Sequence, residues 1–333
     1  MERTATDRSL NFIIEMNTAL QKLEDRIGET IVGQQALIKR LLIALLADGH
    51  VLIEGAPGLA KTTAVQALAD GINTQFQRIQ FTPDLIPGDI TGTDIFIPQE
   101  GHFQFEPGPI FNQIILADEI NRAPPKVQSA LLEAMQERQV TIGRHTRTLP
   151  ELFLVIATQN PLEHEGTFPL PEAQLDRFFM KINLSYPSID EEMEILRRDL
   201  ARISTPTTIK KEPVINEADI HAARRTVQQV HMDTLLDRYI VTLVHATRAP
   251  EQWAPQLSEH LQHGASPRAS LALSHAARAH AYLAGRDFVE PGDITALAQD
   301  ILNHRIALSF AARAEGMNAR DIINTLLDAV PIP

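Results

Sequence analysis

The sequence predicts an α/β fold in which five parallel strands are sandwiched by helices, followed by a second, all-helical domain. Five short apolar runs alternate with segments of helical spacing, the pattern of a parallel sheet. The first run leads straight into a glycine-rich loop and a helix. From about residue 190 onward there is no strong strand run, only amphipathic helix patterns. The 333 residues leave room for two domains of roughly 150 residues each.

The first strand candidate is apolar and β-branched, as expected for a parallel strand buried on both faces, and four further runs fit as strands. The five runs are HVLIEG (50–55), FQRIQF (76–81), the run 114–117, LFLVIATQNP (152–161) and FFMKINL (178–184).

The glycine-rich loop GAPGLAKTT follows the first strand and leads into TTAVQALADG, a helix pattern with Gly71 as its stop signal. Strand, loop and helix in this order form a phosphate-binding loop, with Lys61 as a charge near the β and γ phosphates and Thr62 as a ligand of Mg²⁺. The second glycine of the pattern is replaced by Ala60, which fits if its φ is negative. Taken alone, the loop is compatible with an active or an inactive site. Its candidate nucleotide-binding residues are Gly55, Ala56, Pro57, Gly58, Leu59, Ala60, Lys61, Thr62 and Thr63.

Polar residues follow two further strands at their carboxyl ends, where open α/β sheets bind ligands. Asp118 and Glu119 come after the third run; Asp118 is a candidate metal ligand and Glu119 a candidate base for an attacking water. Thr158, Gln159 and Asn160 end the fourth run. An uncharged amide there can hydrogen-bond the water and the γ phosphate.

The amino-acid composition and net charge limit the classes of function that we expect. The formal net charge is −12, so we do not expect a nucleic-acid partner without a local basic patch. There is no cysteine, which excludes disulfides and thiolate zinc sites. The longest clean apolar run, Leu41–Ala47, is too short to span a membrane, and the first thirty residues lack a signal-peptide core. We therefore expect a cytoplasmic protein without membrane insertion.

Together these segments resemble the MoxR family of AAA+ ATPases, in register from about residue 25 to 310. Two motifs, DEINRAPPKVQSALLEAMQE and LPEAQLDRF, are specific to that family, and alanine before the loop lysine is usual in it. The remaining matching segments are VGQQ (32–35), GAPGLAKTT (55–63), RIQFTPDLIPGDITG (78–92), FEPGPIF (105–111), ATQNP (157–161) and GASPRA (264–269).

The resemblance implies a role for each matching residue. Lys61 and Thr62 match Walker A, and Asp118 and Glu119 match Walker B, so ATP or ADP and Mg²⁺ are the expected ligands. The remaining matches are Val32 and Gly33 beside the adenine, Asn160 as sensor 1, Arg177 as the arginine finger that reaches a neighbouring subunit, and Arg268 as sensor 2. Whether Arg268 acts on its own or a neighbouring nucleotide stays open.

The residues also indicate a domain division, because SYPSID (185–190), with its Pro and cap-like Ser, marks the exit from the sheet domain. We expect an N-terminal helix (1–29), a nucleotide-binding core (30–187) and a helical lid (188–333). A Thr/Pro/Lys stretch, 204–213, links the first lid helix to the rest. Two segments of the core, 88–108 and 138–149, alternate around glycine and are expected to be hairpin insertions. The second is basic (Arg138, Arg144, His145 and Arg147), and we interpret it as a solvated hairpin rather than a DNA contact.

The expected function is that of an ATP-hydrolysing chaperone, a homo-oligomeric and most simply hexameric ring, with a von Willebrand factor A domain protein as partner. MoxR-type proteins resemble helpers that mature or activate protein complexes, sometimes by metal-cofactor insertion. The client cannot be read from the sequence. Three alternatives are a nucleotide-gated adaptor with little turnover, a nucleic-acid-stimulated motor and a small-molecule P-loop kinase.

Overall fold

A computed structural model describes the backbone of residues 2–161, 163, 165–204 and 212–333, and their side chains from residue 16 on apart from 202–204. The strands are β1 (Val51–Glu54), β2 (Phe76–Gln80), β3 (Gly92–Ile97), β4 (His102–Pro107), β5 (Ile114–Asp118), β6 (Gln139–Ile142), β7 (His145–Thr148), β8 (Leu154–Gln159), β9 (Met180–Asn183), β10 (Leu261–His263) and β11 (Ala307–Leu308).

The helices are α1 (Glu2–Thr30), α2 (Gln35–Leu46), α3 (Lys61–Ile72), α4 (Pro87–Thr91), α5 (Pro125–Glu137), α6 (Glu172–Leu175), α7 (Ile189–Ser204), α8 (Glu217–Gln229), α9 (Thr234–Ala246), α10 (Pro267–Leu283), α11 (Pro291–Leu302), α12 (Phe310–Ala314) and α13 (Ala319–Ala329). Most of the segment 204–213 that we interpret as a linker lies outside the described residues.

The five predicted strands form one parallel sheet in the order β2-β5-β8-β1-β9. Alternate residues of each strand face opposite sides, so the sheet separates two apolar cores. On β5, Ile114 and Leu116 belong to one core and Ile115 and Ala117 to the other. The first core continues into α8–α11 and α13, which ties the C-terminal helices to the sheet. The predicted α/β fold with a C-terminal helical region is confirmed.

Both predicted hairpins are present. Strands β3 and β4 pair in antiparallel fashion, as do β6 and β7, which turn at Gly143 with φ +59°. One feature of the C-terminal half was not predicted: β10 and β11 form a short antiparallel ribbon among the helices. At three and two residues, these strands are too short to give a recognisable alternation in sequence.

Candidate functional site

The glycine-rich loop lies at the carboxyl edge of the sheet, between β1 and α3. Gly55 is anchored to the neighbouring strand, where its N–H donates to the carbonyl of Gln159 at 3.2 Å. In the described structure, no side chain caps the start of α3 at Ala60. The first N–H groups of this helix therefore have no side-chain acceptor and face the loop. The loop therefore offers an anion its backbone donors at a point where the helix dipole also favours negative charge.

Lys61 is folded back over this loop, and its Nζ donates to the carbonyl of Gly55 at 2.7 Å. Burial lowers the pKa of Lys61, while the carboxylates of Asp118 and Glu119 act in the opposite direction. The lysine thus faces both predicted Walker B acids. This places the loop and the acidic pair in one site.

The backbone of Ala60 corrects one expectation. Alanine was expected here with a negative φ, but its φ is +56°, in the left-handed region. The loop must reverse direction into α3 at this residue, and the turn takes the glycine-like conformation even though the side chain is a methyl group. A left-handed non-glycine residue costs roughly 1–2 kcal/mol, which the surrounding loop must offset.

Asp118 and Glu119 are oriented by a threonine from the next strand. The Thr158 hydroxyl donates to Asp118 Oδ1 at 2.6 Å and accepts the N–H of Glu119 at 2.9 Å. Glu119 itself has φ +58°, which turns its side chain out of the strand direction. Thr158 is almost completely buried, so these bonds are shielded from water.

The structure adds three polar partners that the sequence analysis missed. Arg78 donates to Asp118 Oδ2 from Nη2 at 2.6 Å, Gln80 donates to Glu119 Oε2 at 2.9 Å, and Arg122 lies 3.0 Å from the same Glu119 oxygen. Arg78 and Gln80 lie on β2, which pairs with β5. The polar residues of FQRIQF are visible in the sequence, but only the strand order shows that β2 adjoins the acids.

Asn160 follows β8 at the same edge and is buried. Its side chain hydrogen-bonds Glu163, and Glu163 pairs with Arg122. The hydrogen bond from Arg122 is the main reason that the pKa of Glu163 is lowered. Asn160 is therefore linked to Glu119 through Glu163 and Arg122, as expected of a residue of the same site.

Val32 and Gly33 lie before α2, against the start of α7. A Cβ built on Gly33 would come within 2.6 Å of Glu191, so the first turn of α7 covers this residue. The chain reaches α7 from Leu184, which packs on Gly55 of the loop. The segment 184–191 thus runs from the glycine-rich loop to the predicted adenine contacts.

Arg177 and Arg268 lie together, but at the opposite edge of the sheet. Arg177 precedes β9, whose amino end is fixed by the bond from Phe179 N to the carbonyl of His50 at 2.8 Å. Both arginines line one cleft of about 320 Å³, and Arg268 lies 3.5 Å from Asp176. A four-residue strand spans about 13 Å, and the loop is at the far end of β1. The structure therefore does not bring the two arginines to the Lys61 site of the same chain.

Two basic residues of the hairpin 138–149, Arg138 and Arg147, have partners within the molecule. Arg138 donates to Asp48 Oδ1 at 2.6 Å and to the carbonyl of Phe153 at 2.8 Å. The guanidinium of Arg147 lies over the ring of Phe105 at 3.8 Å, on the first hairpin. Two of its four basic residues thus have internal partners, which supports our interpretation as a solvated hairpin over a DNA contact.

The donor set fits ATP and Mg²⁺. A half-buried lysine, an uncapped helix start and Gly58, whose Cα faces open space, can receive phosphate oxygens. The hydroxyl of Thr62 and the carboxylate of Asp118 are oxygen ligands of the kind that Mg²⁺ prefers. Among the described residues, no helix has the length and apolarity needed to cross a membrane.

Comparisons with known proteins agree with this geometry. The family model described as "ATPase family associated with various cellular activities (AAA)" matches residues 50–180, and an AAA lid domain model matches residues 256–326. The chain is 46% identical to the uncharacterized protein YeaC of Bacillus subtilis over 96% of each protein. It is 46% identical to Chaperone MoxR1 of Mycobacterium tuberculosis, covering 94% of this chain and 82% of that protein.

Two further matches extend the comparison. Protein MoxR of Methylorubrum extorquens is 31% identical, over 96% of this chain and 97% of its own length. A crystal structure of a candidate ATPase from Cytophaga hutchinsonii superposes with a TM-score of 0.91 at 44% identity, over 100% of this chain and 99% of that one. The chain therefore belongs to the MoxR family of AAA+ ATPases.

Proposed function

We propose that this protein is an ATP-hydrolysing remodelling chaperone that works as a homo-oligomeric ring, most simply a hexamer. One observation carries the proposal: the predicted catalytic groups occupy two opposite edges of the same sheet. Lys61, Asp118 and Glu119 lie at the carboxyl edge, whereas Arg177 and Arg268 lie at the amino edge. A complete site then requires two copies of the chain, as a closed head-to-tail ring provides at every interface.

In this proposal the residues of the carboxyl edge hold the nucleotide. The loop N–H groups and Lys61 bind the phosphates, and Thr62 and Asp118 would hold Mg²⁺, which supplies neutralising charge when bound. Val32 and Gly33 contact the adenine side. Glu119 accepts the proton of the attacking water, and Asn160 orients that water.

The arginines of the neighbouring copy complete the site. Arg177 is exposed and makes no ion pair within the described part of the chain, so its charge is available to another molecule. Charge spreads over the γ-phosphate oxygens in the transition state, and a planar guanidinium that is always charged suits that task. Arg268 lines the same cleft, and we therefore assign it to the neighbour's nucleotide as well.

The test is the ATPase rate per subunit for the wild type, Glu119→Gln, Arg177→Ala and a mixture of the two variants. We expect the wild-type rate to rise with protein concentration and each variant alone to stay near background. An equimolar mixture should recover up to about a quarter of the wild-type rate, since one interface in about four then combines an intact Glu119 with an intact Arg177.

A second mixture serves as the control for the first. Glu119→Gln mixed with Glu119→Gln/Arg177→Ala should recover nothing, because no interface is complete. If the Arg177→Ala variant is as active as the wild type at every concentration, the site is complete within one chain and the ring proposal is wrong. An assembled wild type with a rate near background would instead identify a nucleotide-gated adaptor.

The biological role is a finer part of the proposal. We propose that the protein assists maturation or activation of other protein complexes in the cytoplasm, together with a von Willebrand factor A domain partner; metal-cofactor insertion is one form that this could take. The name Chaperone MoxR1 of one relative supports a chaperone role. A client should be retained by Glu119→Gln with ATP and released with ADP; retention independent of the nucleotide would contradict remodelling.

A further inference from the structure

A second basic cleft lies beside the arginine cleft, between the end of α2 and helices α8 and α10. Its volume is about 820 Å³. Arg224 and Arg225 contribute from α8 and Arg278 from α10, so three arginines from two helices line one concavity. Two of them also donate to backbone carbonyls, Arg224 to Leu45 and Arg278 to Val230. A volume of this size is typical of sites for small ligands.

The acids of the cleft do not balance this charge. Asp48 is the nearest carboxylate, and its Oδ1 atom is shared: Arg224 Nη1 lies at 2.9 Å and Arg138 Nη2 at 2.6 Å. Glu151 is the other acid of the lining, and its side chain is 84% exposed, 3.7 Å from His221. One carboxylate thus serves two arginines, and the other is screened by water.

The guanidinium group of Arg224 is only partly paired. Only 10% of its side chain is exposed, and its Nη2 atom is buried without a hydrogen-bond partner among the described residues. Burial lowers the pKa of Arg224, with Asp48 acting against this shift, yet an arginine remains charged in proteins. A buried charge that is only partly compensated raises the positive potential of the concavity, because low-dielectric walls focus the field.

The remaining lining restricts the kind of ligand. Its apolar members are small in number, Leu46, Ala47 and Val227, and no Phe, Tyr or Trp lies among the described lining residues to stack on a base. Recognition of a ligand in this cleft therefore depends mainly on the three arginines. Guanidinium groups pair in bidentate fashion with phosphate oxygens, so a phosphate-rich anion fits this lining.

We propose that this cleft is a binding site for a compact oligoanion of the polyphosphate type. The site is distinct from the Lys61 loop, and its wall includes Asp48 and His275, which also line the arginine cleft.

The experiment is calorimetric titration of the full chain with tripolyphosphate at low ionic strength. Because the Lys61 loop is also proposed to bind phosphates, every protein carries Lys61→Ala, which removes the lysine charge and leaves the backbone donors of that loop the same in all of them. The cleft variant adds Arg225→Gln and Arg278→Gln; Arg224 is left in place because it is buried. The matched control adds Arg238→Gln, an exposed arginine of α9 outside the cleft.

We expect Lys61→Ala to bind tripolyphosphate, the cleft variant to bind about tenfold or more weakly, and the Arg238→Gln control to bind unchanged. Loss of all binding on Lys61→Ala, or equal binding by the cleft variant and the control, would overturn the proposal.

Discussion

At the scale of single residues, Thr158 links the two acids of the candidate site. Its hydroxyl donates to Asp118 and accepts from the backbone of Glu119, whose left-handed conformation needs this support. One oxygen atom therefore holds the carboxylate of Asp118 and the backbone of Glu119, two residues with different tasks. Because Thr158 carries no charge, a substitution there tests how the acids are positioned rather than the chemistry that they perform.

We expect Thr158→Val to lower the ATPase rate by about tenfold or more, because Asp118 and the backbone of Glu119 lose the hydroxyl that holds them in place. It should also lower the free energy of unfolding by about 1–3 kcal/mol, since the N–H of Glu119 loses its partner. Thr158→Ser keeps the hydroxyl and should retain most of the rate. The measurements are steady-state ATPase rates and denaturant unfolding; equal rates for the valine and serine variants would contradict the role.

The residues of the loop also show what a sequence can predict. Strand, loop and helix follow from local patterns, and so do Lys61, Thr62 and the two acids at strand ends. The positive φ of Ala60 does not follow, because alanine is found mostly at negative φ and only the closed loop forces the exception. Arg78 and Gln80 were missed for a different reason: their partners are set by strand order, which a single sequence leaves undetermined.

At the scale of elements, the segment between α6 and β9 carries Arg177 and is held by one carboxylate. Asp176 accepts from Arg305 Nε at 2.9 Å and from the hydroxyl of Ser266 at 2.9 Å, with Arg268 at 3.5 Å. Arg305 also donates to the carbonyls of Phe179 and Ile301, so it ties β9 to α11. The two arginines share a partner but differ in burial: the side chain of Arg305 is 2% exposed and that of Arg268 49%.

This difference gives a paired prediction. Arg305→Gln should lower the free energy of unfolding by about 3–5 kcal/mol, because it leaves Asp176 and several carbonyls without their buried donor. Arg268→Gln should change stability by less than about 1 kcal/mol, since its ion pair is exposed. It should nevertheless lower the ATPase rate about tenfold or more if it acts on a neighbouring nucleotide. Denaturant unfolding and ATPase rates check both; an Arg268→Gln variant with full activity would contradict its role.

At the scale of the whole molecule, the predicted site residues lie at two opposite edges of the sheet. Helices from both halves of the chain pack at the amino edge. Asn160 follows β8 at the carboxyl edge, and the chain returns to the amino edge before β9 begins, which places Arg177 there. The parallel sheet predicted from the sequence already implies this separation. The amino edge buries two histidines. His50 precedes β1, and His304 Nε2 lies 3.1 Å from the carbonyl oxygen of Phe178.

His50 makes the stability of the molecule depend on pH. Val155 N–H donates to its Nδ1 at 3.0 Å, so the ring hydrogen is on Nε2, which donates to Met135 O at 3.1 Å. A proton on Nδ1 would break the first bond. Burial, with Arg138 nearby, lowers the pKa of His50 from 6.5 to about 3, and burial likewise lowers the pKa of His304.

The direction of this pH dependence is set by which state, folded or unfolded, binds the proton more readily. Below pH 6.5 the unfolded chain protonates His50, whereas the folded chain does so only near pH 3, so stability falls as the pH falls through this window. Between pH 6.5 and 5, His50 alone should lower the free energy of unfolding by roughly 2 kcal/mol. His50→Gln can keep both hydrogen bonds and should remove the loss of stability caused by protonation of His50. The loss caused by His304 should remain. Denaturant unfolding at both pH values checks it, with the exposed His263→Gln as control; if His50→Gln loses as much stability as His263→Gln, His50 is not the source.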